Sequence, residues 1–142
     1  MENKKVSIMI KKCSLLFDKT INQLLAPYNL SNSQFRILMI LYKSNNEKIR
    51  QADIEQALSM TNPTVTGLIQ SLEKKNLIER VNNPEDKRSK LLVLTDYALS
   101  KKEEFICLAK TIEDEMTSGL SDEEISQLYT LLNKILSNQY QK

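Results

Sequence analysis

The sequence predicts a mainly α-helical fold carrying one small β-hairpin, and three observations support that expectation. Only two glycines and three prolines interrupt 142 residues, so helix breakers are scarce. Apolar residues recur at i, i+3, i+4 and i+7 over long stretches near both ends, the rhythm of one helical face. Two short β-prone runs, Ile78–Val81 and Leu91–Leu94, flank a charged, turn-rich segment. A chain of this length suits one domain with its own core.

From Val6 the stripe Val6, Met9, Ile10, Cys13, Leu16, Phe17, Ile21, Leu24 and Leu25 predicts a long first helix, which Pro27 ends. Ser31-Asn32-Ser33-Gln34 has the spacing of a capping box and opens a second helix, with Phe35, Leu38, Met39, Leu41 and Tyr42 turned inward. The polar stretch Lys43–Lys48 is a loop. Ile49–Leu58 gives a short third helix with Ala52, Ile54 and Leu58 on its core side, and Ser59-Met60 makes the turn after it. Thr61 or Asn62 caps a fourth helix, where Pro63 is tolerated because first-turn amides lack intrahelical partners. Val65, Leu68, Ile69 and Leu72 mark its inner face. The stretch from Asn82 to Lys90 predicts a long tip on the hairpin. Thr95 caps a long fifth helix that runs to Met116 and ends at Gly119. A second capping box at Ser121-Asp122-Glu123-Glu124 opens a final helix, with Ile125, Leu128, Tyr129, Leu132, Ile135 and Leu136 along one stripe.

The formal net charge of +2 is too small to imply nucleic-acid binding by itself. Its distribution is uneven. Residues 1–49 hold eight Lys and Arg against three Asp and Glu, residues 50–90 seven against six, and residues 91–142 five against nine. A basic face is therefore expected on the first two thirds. No histidine is present, which removes the commonest general base and metal ligand, and no Gly-rich phosphate loop occurs. No catalytic residue, metal ligand or cofactor is expected, and the chain is not read as an enzyme. Cys13 and Cys107 form no CxxC pair and suggest neither zinc nor a disulfide framework. The polar opening Met1–Met9, and the lack of an apolar run near the roughly 20 residues that span a bilayer, predict neither export nor a membrane partner. A cytoplasmic location is expected.

The third and fourth helices are short, closely joined and followed directly by the hairpin, the order of a winged helix-turn-helix that presents its second helix to the DNA major groove. The outer face of that fourth helix carries Asn62, Pro63, Thr64, Thr66, Gly67, Gln70, Ser71 and Lys74, small or amide-bearing residues suited to base edges and phosphates. Gln51, at the start of the third helix, joins this set. Gly67 is informative, because a mid-helix glycine costs roughly 1 kcal/mol relative to alanine and is easiest to justify where a backbone must approach something closely. On the hairpin, Lys87, Arg88 and Lys90 can reach a minor groove. Asp86, two residues before Arg88, is expected to orient its guanidinium by a charge-assisted hydrogen bond. A winged-helix adaptor that touches only proteins is the competing reading, and the polar recognition face with Arg88 argues against it.

These residues also carry a resemblance. Asp86, Arg88, Leu92, Leu94 and Thr95 stand at the spacing D-x-R-x-x-x-L-x-L-T, and Thr64-Val65-Thr66 precedes Leu72-Glu73-Lys74-Lys75-Asn76-Leu77-Ile78-Glu79-Arg80. In both stretches the chain resembles the MarR (multiple antibiotic resistance regulator) family of bacterial transcription factors. It departs from the family pattern at Asn76 and Ala98, where glycine is usual. The resemblance implies a homodimer on double-stranded DNA, with residues 1–30 and 96–142 as its dimerisation helices and 31–95 as the DNA-binding unit. It implies a regulator of palindromic operators, repressor or activator and read first as a repressor, and a small-molecule effector pocket, for which Phe17, Met39, Tyr42 and Met60 are the expected lining. The excess of apolar residues on the terminal helices agrees with a two-fold interface. Cys13 invites comparison with hydroperoxide-sensing members, but the second helix lacks the activating tyrosines, so a packing role is expected for it.

Overall fold

A computed structural model describes residues 4–44 and 47–140. Parts of the expected Lys43–Lys48 loop and of the 1–30 and 96–142 regions lie outside the described residues. Helix α1 spans Val6–Leu25 and passes into a single 3-10 turn, Ala26–Tyr28, that contains Pro27. Asn29, with φ 54°, closes that turn. Helix α2 runs over Asn32–Tyr42 behind the expected capping box: Gln34 N donates to Ser31 Oγ at 3.1 Å and Ser31 N to Gln34 Oε1 at 3.0 Å.

Helix α3, Gln51–Leu58, starts two residues later than the apolar pattern predicts. Ile49 and Arg50 are extended instead and add a one-residue bridge to the hairpin, with Leu92 N donating to Ile49 O at 2.8 Å. That tertiary pairing competes with helix for Ile49, and Ala52, expected in the core, is exposed. Ser59 sits in the left-handed region at φ 54°, and Met60 N reaches back to Glu55 O at 3.0 Å, so α3 stops sharply.

Helix α4, Asn62–Lys74, ends the same way. Asn76 has φ 59°, Leu77 N donates to Leu72 O at 3.0 Å and Asn76 N to Glu73 O at 2.9 Å. Glycine is usual at this position because it lacks Cβ, and asparagine is the side chain that best replaces it there. The departure at Asn76 thus preserves the turn.

Strands β1, Ile78–Asn83, and β2, Asp86–Leu94, pair antiparallel from Ile78↔Leu94 to Asn82↔Lys90, then jump to Asn83↔Asp86. The long tip expected from sequence is mostly strand, with Pro84-Glu85 as the turn and a bulge over 87–89. Buried Asn83 is the reason. Its amide donates to Ser89 Oγ at 3.1 Å and accepts from Glu85 N at 3.0 Å, satisfying the tip from within.

The expected long fifth helix is two helices, α5 Asp96–Ser100 and α6 Lys102–Met116. The Tyr42 hydroxyl donates to Ala98 O at 2.5 Å, and Lys101 N takes the same carbonyl at 3.1 Å. An unbroken helix would have offered that oxygen to the amide of Lys102. Gly119, at φ 88°, precedes α7, Asp122–Tyr140, whose Ser121–Glu124 capping box forms as expected.

The core joins Ile21 and Leu25 of α1, Ile37 and Leu38 of α2, Ile54 of α3, Ile69 and Leu72 of α4, and Phe105 and Ile112 of α6. Phe105 meets the Tyr28 and Phe35 rings edge-on at 5.4 and 6.2 Å, which fixes α6 over the connection between α1 and α2. α7 stands apart: among its described side chains only Ile125 is even partly buried.

Candidate nucleic-acid interface

Helix α4 has two opposite faces. Val65, Ile69 and Leu72 are fully buried, whereas Pro63, Gly67, Gln70 and Lys74 are exposed and recur every three or four residues. At 3.6 residues per turn those four form one stripe directly opposite the core stripe. A Cβ built on Gly67 would meet nothing within 4 Å, so nothing inside this chain requires glycine there.

The other expected contacts are partly engaged within the protein. Exposed Thr64 has its Oγ1 3.0 Å from Thr61 Oγ1, and exposed Asn62 donates its amide to Glu55 Oε2 at 3.0 Å. Gln51 Nε2 donates to Thr66 Oγ1 at 2.8 Å, tying the start of α3 to the first half of α4. Part-buried Ser71 accepts from Gln34 Nε2 at 2.8 Å and so is turned toward α2 rather than along the outer stripe. Lys75 Nζ donates to the same Gln34 through Oε1, at 2.9 Å, and also to the Asn29 carbonyl. The partners of Thr66, Ser71 and Lys75 lie 15 to 46 residues away, beyond the reach of any local sequence pattern.

On the wing, Lys87, Arg88 and Lys90 are all exposed on β2. Asp86 does not take the guanidinium of Arg88 as expected. Its Oδ1 accepts from the Arg88 backbone N–H at 2.9 Å, because a short carboxylate reaches the amide two residues on more readily than the end of a long side chain. The wing tip is also tied down, since Lys48 Nζ pairs with Glu85 Oε1 at 3.0 Å. Below it, Arg50 and Asp53 pair at 3.2 Å at the start of α3. Hydrogen bonds from the Arg50 guanidinium and backbone amide hold the Asp53 carboxyl below the usual carboxylate range.

Comparison with known proteins bears on this geometry. The MarR family model matches residues 30–90, which contain α2, the helix-turn-helix and most of the wing. An uncharacterised HTH-type transcriptional regulator of Bacillus subtilis, YwoH, is 33% identical over 86% of this chain and 87% of its own. The multiple antibiotic resistance protein MarR of Salmonella typhimurium is 30% identical over 84% and 82%. The chain belongs to the MarR family. A Staphylococcus aureus MepR–DNA complex superposes with a TM-score of 0.87 at 32% identity, over 96% of this chain and 99% of that one. A cysteine-to-serine mutant of Escherichia coli MarR complexed with operator DNA gives 0.82 at 26% identity, over 92% and 93%. MarR-family proteins are DNA-binding transcription regulators and not enzymes.

In this MarR-family chain the four expected effector-pocket residues do not share one pocket. Phe17 and Met39 line a groove of about 610 Å³ with Asn32, Phe35, Arg36 and Ala109. Tyr42 lines a separate depression of about 450 Å³ behind β2, and burial pushes its phenol up to about 12. Met60 lines neither and packs at the edge of the core. Cys13 and Cys107 are both exposed, so the packing role expected for Cys13 is not met within one chain.

Proposed function

We propose that this protein is a sequence-specific repressor that binds a palindromic operator as a homodimer and is released by a small-molecule effector. The observation that carries DNA recognition is the outer stripe of α4, four exposed residues that include a mid-helix glycine whose added Cβ would meet nothing within 4 Å in this chain. Pro63, Gly67, Gln70 and Lys74, with Thr64 beside them, meet the major groove, while Lys87, Arg88 and Lys90 meet the backbone and minor groove. Gln51, Asn62, Thr66 and Ser71 set that face, and Asp86 shapes the strand that carries Arg88.

Dimer formation is supported by unburied apolar surface. Val6, Met9, Leu15 and Leu16 of α1 and Leu128, Leu132, Ile135 and Leu136 of α7 are all exposed in a single chain. Residues 1–30 and 96–142 form the association region and 31–95 the DNA-binding unit. Two recognition helices about 34–36 Å apart then read successive half-sites. The groove lined by Phe17 and Met39 lies where α1, α2, α3 and α6 meet, and an occupant there touches both regions. A cytoplasmic location fits this role, and among the described residues no helix is long and apolar enough to cross a membrane.

The test is selection of bound duplexes from a random pool, followed by a gel shift of the recovered sequence across a salt series. A recovered palindrome whose affinity falls steeply with salt is expected, with a log–log slope of about −0.9 per phosphate contacted. Binding with no sequence preference, or none at low salt, would refute the reading.

A further inference from the structure

The two ends of α4 are held by different parts of the molecule. Its N-terminal half is tied inside the winged unit, by Gln51 to Thr66 and by Asn62 to Glu55. Its C-terminal end is tied to the first turn of α2, where Ser71 and Lys75 both bond Gln34, and Lys75 also bonds the Asn29 carbonyl in the turn that leads out of α1. Gln34 is 8% exposed, and each of its amide atoms is in use. Nε2 donates to Ser71, while Oε1 accepts from Lys75 and from Ser31 N, closing the cap of α2.

We propose that Gln34 is a positioning residue that fixes the angle of the recognition helix relative to α2, the element on which the association helices α1 and α6 pack, and thereby sets which spacing of half-sites the protein accepts. The inference rests on the dimeric operator reading above. The lever is short and stiff. With 13 residues, α4 is about 20 Å long, so a swing of about 10° moves one end by about 3.5 Å, close to the rise of one base pair. Half-site spacing is a geometric property of the two recognition helices; the buried Val65, Ile69 and Leu72 seat α4 on the core along its length, and the Gln34 bonds set the tilt of its C-terminal end. An amide suits the place because it donates and accepts at once. Methionine has similar length and neither capacity. Glutamate would still accept from Lys75 and Ser31 N, and the Ser71 hydroxyl can turn to donate to it.

The experiment measures affinity of the full-length protein for three duplexes: the selected operator, and the same half-sites with one base pair inserted or removed at the centre. The wild type is expected to bind the altered duplexes at least about tenfold more weakly. Gln34→Met and Ser71→Ala should narrow that ratio to within about threefold, and Gln34→Glu should restore it. Ser71→Ala leaves the α2 cap untouched, so it carries the test even where Gln34→Met does not fold. A folded Ser71→Ala protein that keeps the full ratio would overturn the proposal. So would loss of affinity by the same factor on all three duplexes, since that reports general weakening rather than lost geometry. A wild type that binds none of the three refutes the operator reading itself; wild-type discrimination retained by the variants refutes only the role of Gln34.

Discussion

Replacing Gly67 with alanine should make the protein more stable and a poorer DNA binder, and the opposite signs separate two causes that usually move together. Gly67 lies in the middle of α4, is exposed, and its added Cβ would meet no atom within 4 Å. The intrinsic helix preference for alanine then appears undiluted, a gain of about 0.8–1 kcal/mol. For a chain of this size that raises the melting temperature by about 3 °C. In the proposed complex the same methyl group projects from the outer stripe, between Pro63 and Gln70, and should hold the backbone away from the groove. A loss of about 1.4 kcal/mol is a tenfold fall in affinity. Calorimetry gives the first quantity and a gel shift on the selected operator the second. A variant that is stabilised and still binds with wild-type affinity would show that α4 does not approach DNA closely at this point. A variant with no gain in stability would show that Gly67 has a packing role in the free protein.

Three further outcomes are expected. Arg88→Ala should lose roughly 1–3 kcal/mol of operator binding while its melting temperature stays put, because Arg88 is exposed; unchanged affinity at moderate salt would take the wing out of the mechanism. Leu132→Glu combined with Leu136→Glu should give a monomer by sedimentation and abolish operator binding, whereas a dimer that still binds would place the two-fold contact elsewhere. The Arg50–Asp53 pair lowers the folded-state pKa of Asp53, so its stabilisation is present above the unfolded value of about 3.9 and fades as pH falls through the lower folded one. The melting-temperature gap between wild type and Asp53→Asn should therefore be visible at neutral pH and shrink below about pH 4; a gap that widens in acid would reverse the assignment.

What sequence made legible here was local. Ser31 with Gln34, Ser121 with Glu124, and Thr95 with Ala98 are bonds over three residues, and each formed where its spacing indicated. The four-residue outer stripe of α4 was legible for the same reason, since one helical period fixes it. What sequence could not display were contacts between distant segments. Tyr42 breaks the expected long helix by taking the carbonyl of Ala98, 56 residues away, and Leu92 draws Ile49 out of helix. Ser71 looked like a DNA contact because polarity alone says nothing of direction, and only the fold brings Gln34 to it. Asn83 looked like loop for a similar reason: its side chain does the work that a longer turn would otherwise leave to solvent.

That buried asparagine has a kinetic and entropic consequence. If the wing docks on DNA as proposed, its tip is already closed by Asn83 from within and need not be ordered on arrival, the exposed Lys48–Glu85 pair adding little. Its backbone loses little freedom on docking, so the ordering penalty is confined to the long side chains at its edge, on the order of 0.5–1.5 kcal/mol for each one immobilised. In the proposed complex a preformed shape then meets the groove, and differences in affinity among related operators should appear in how long the complex lasts rather than in how fast it forms.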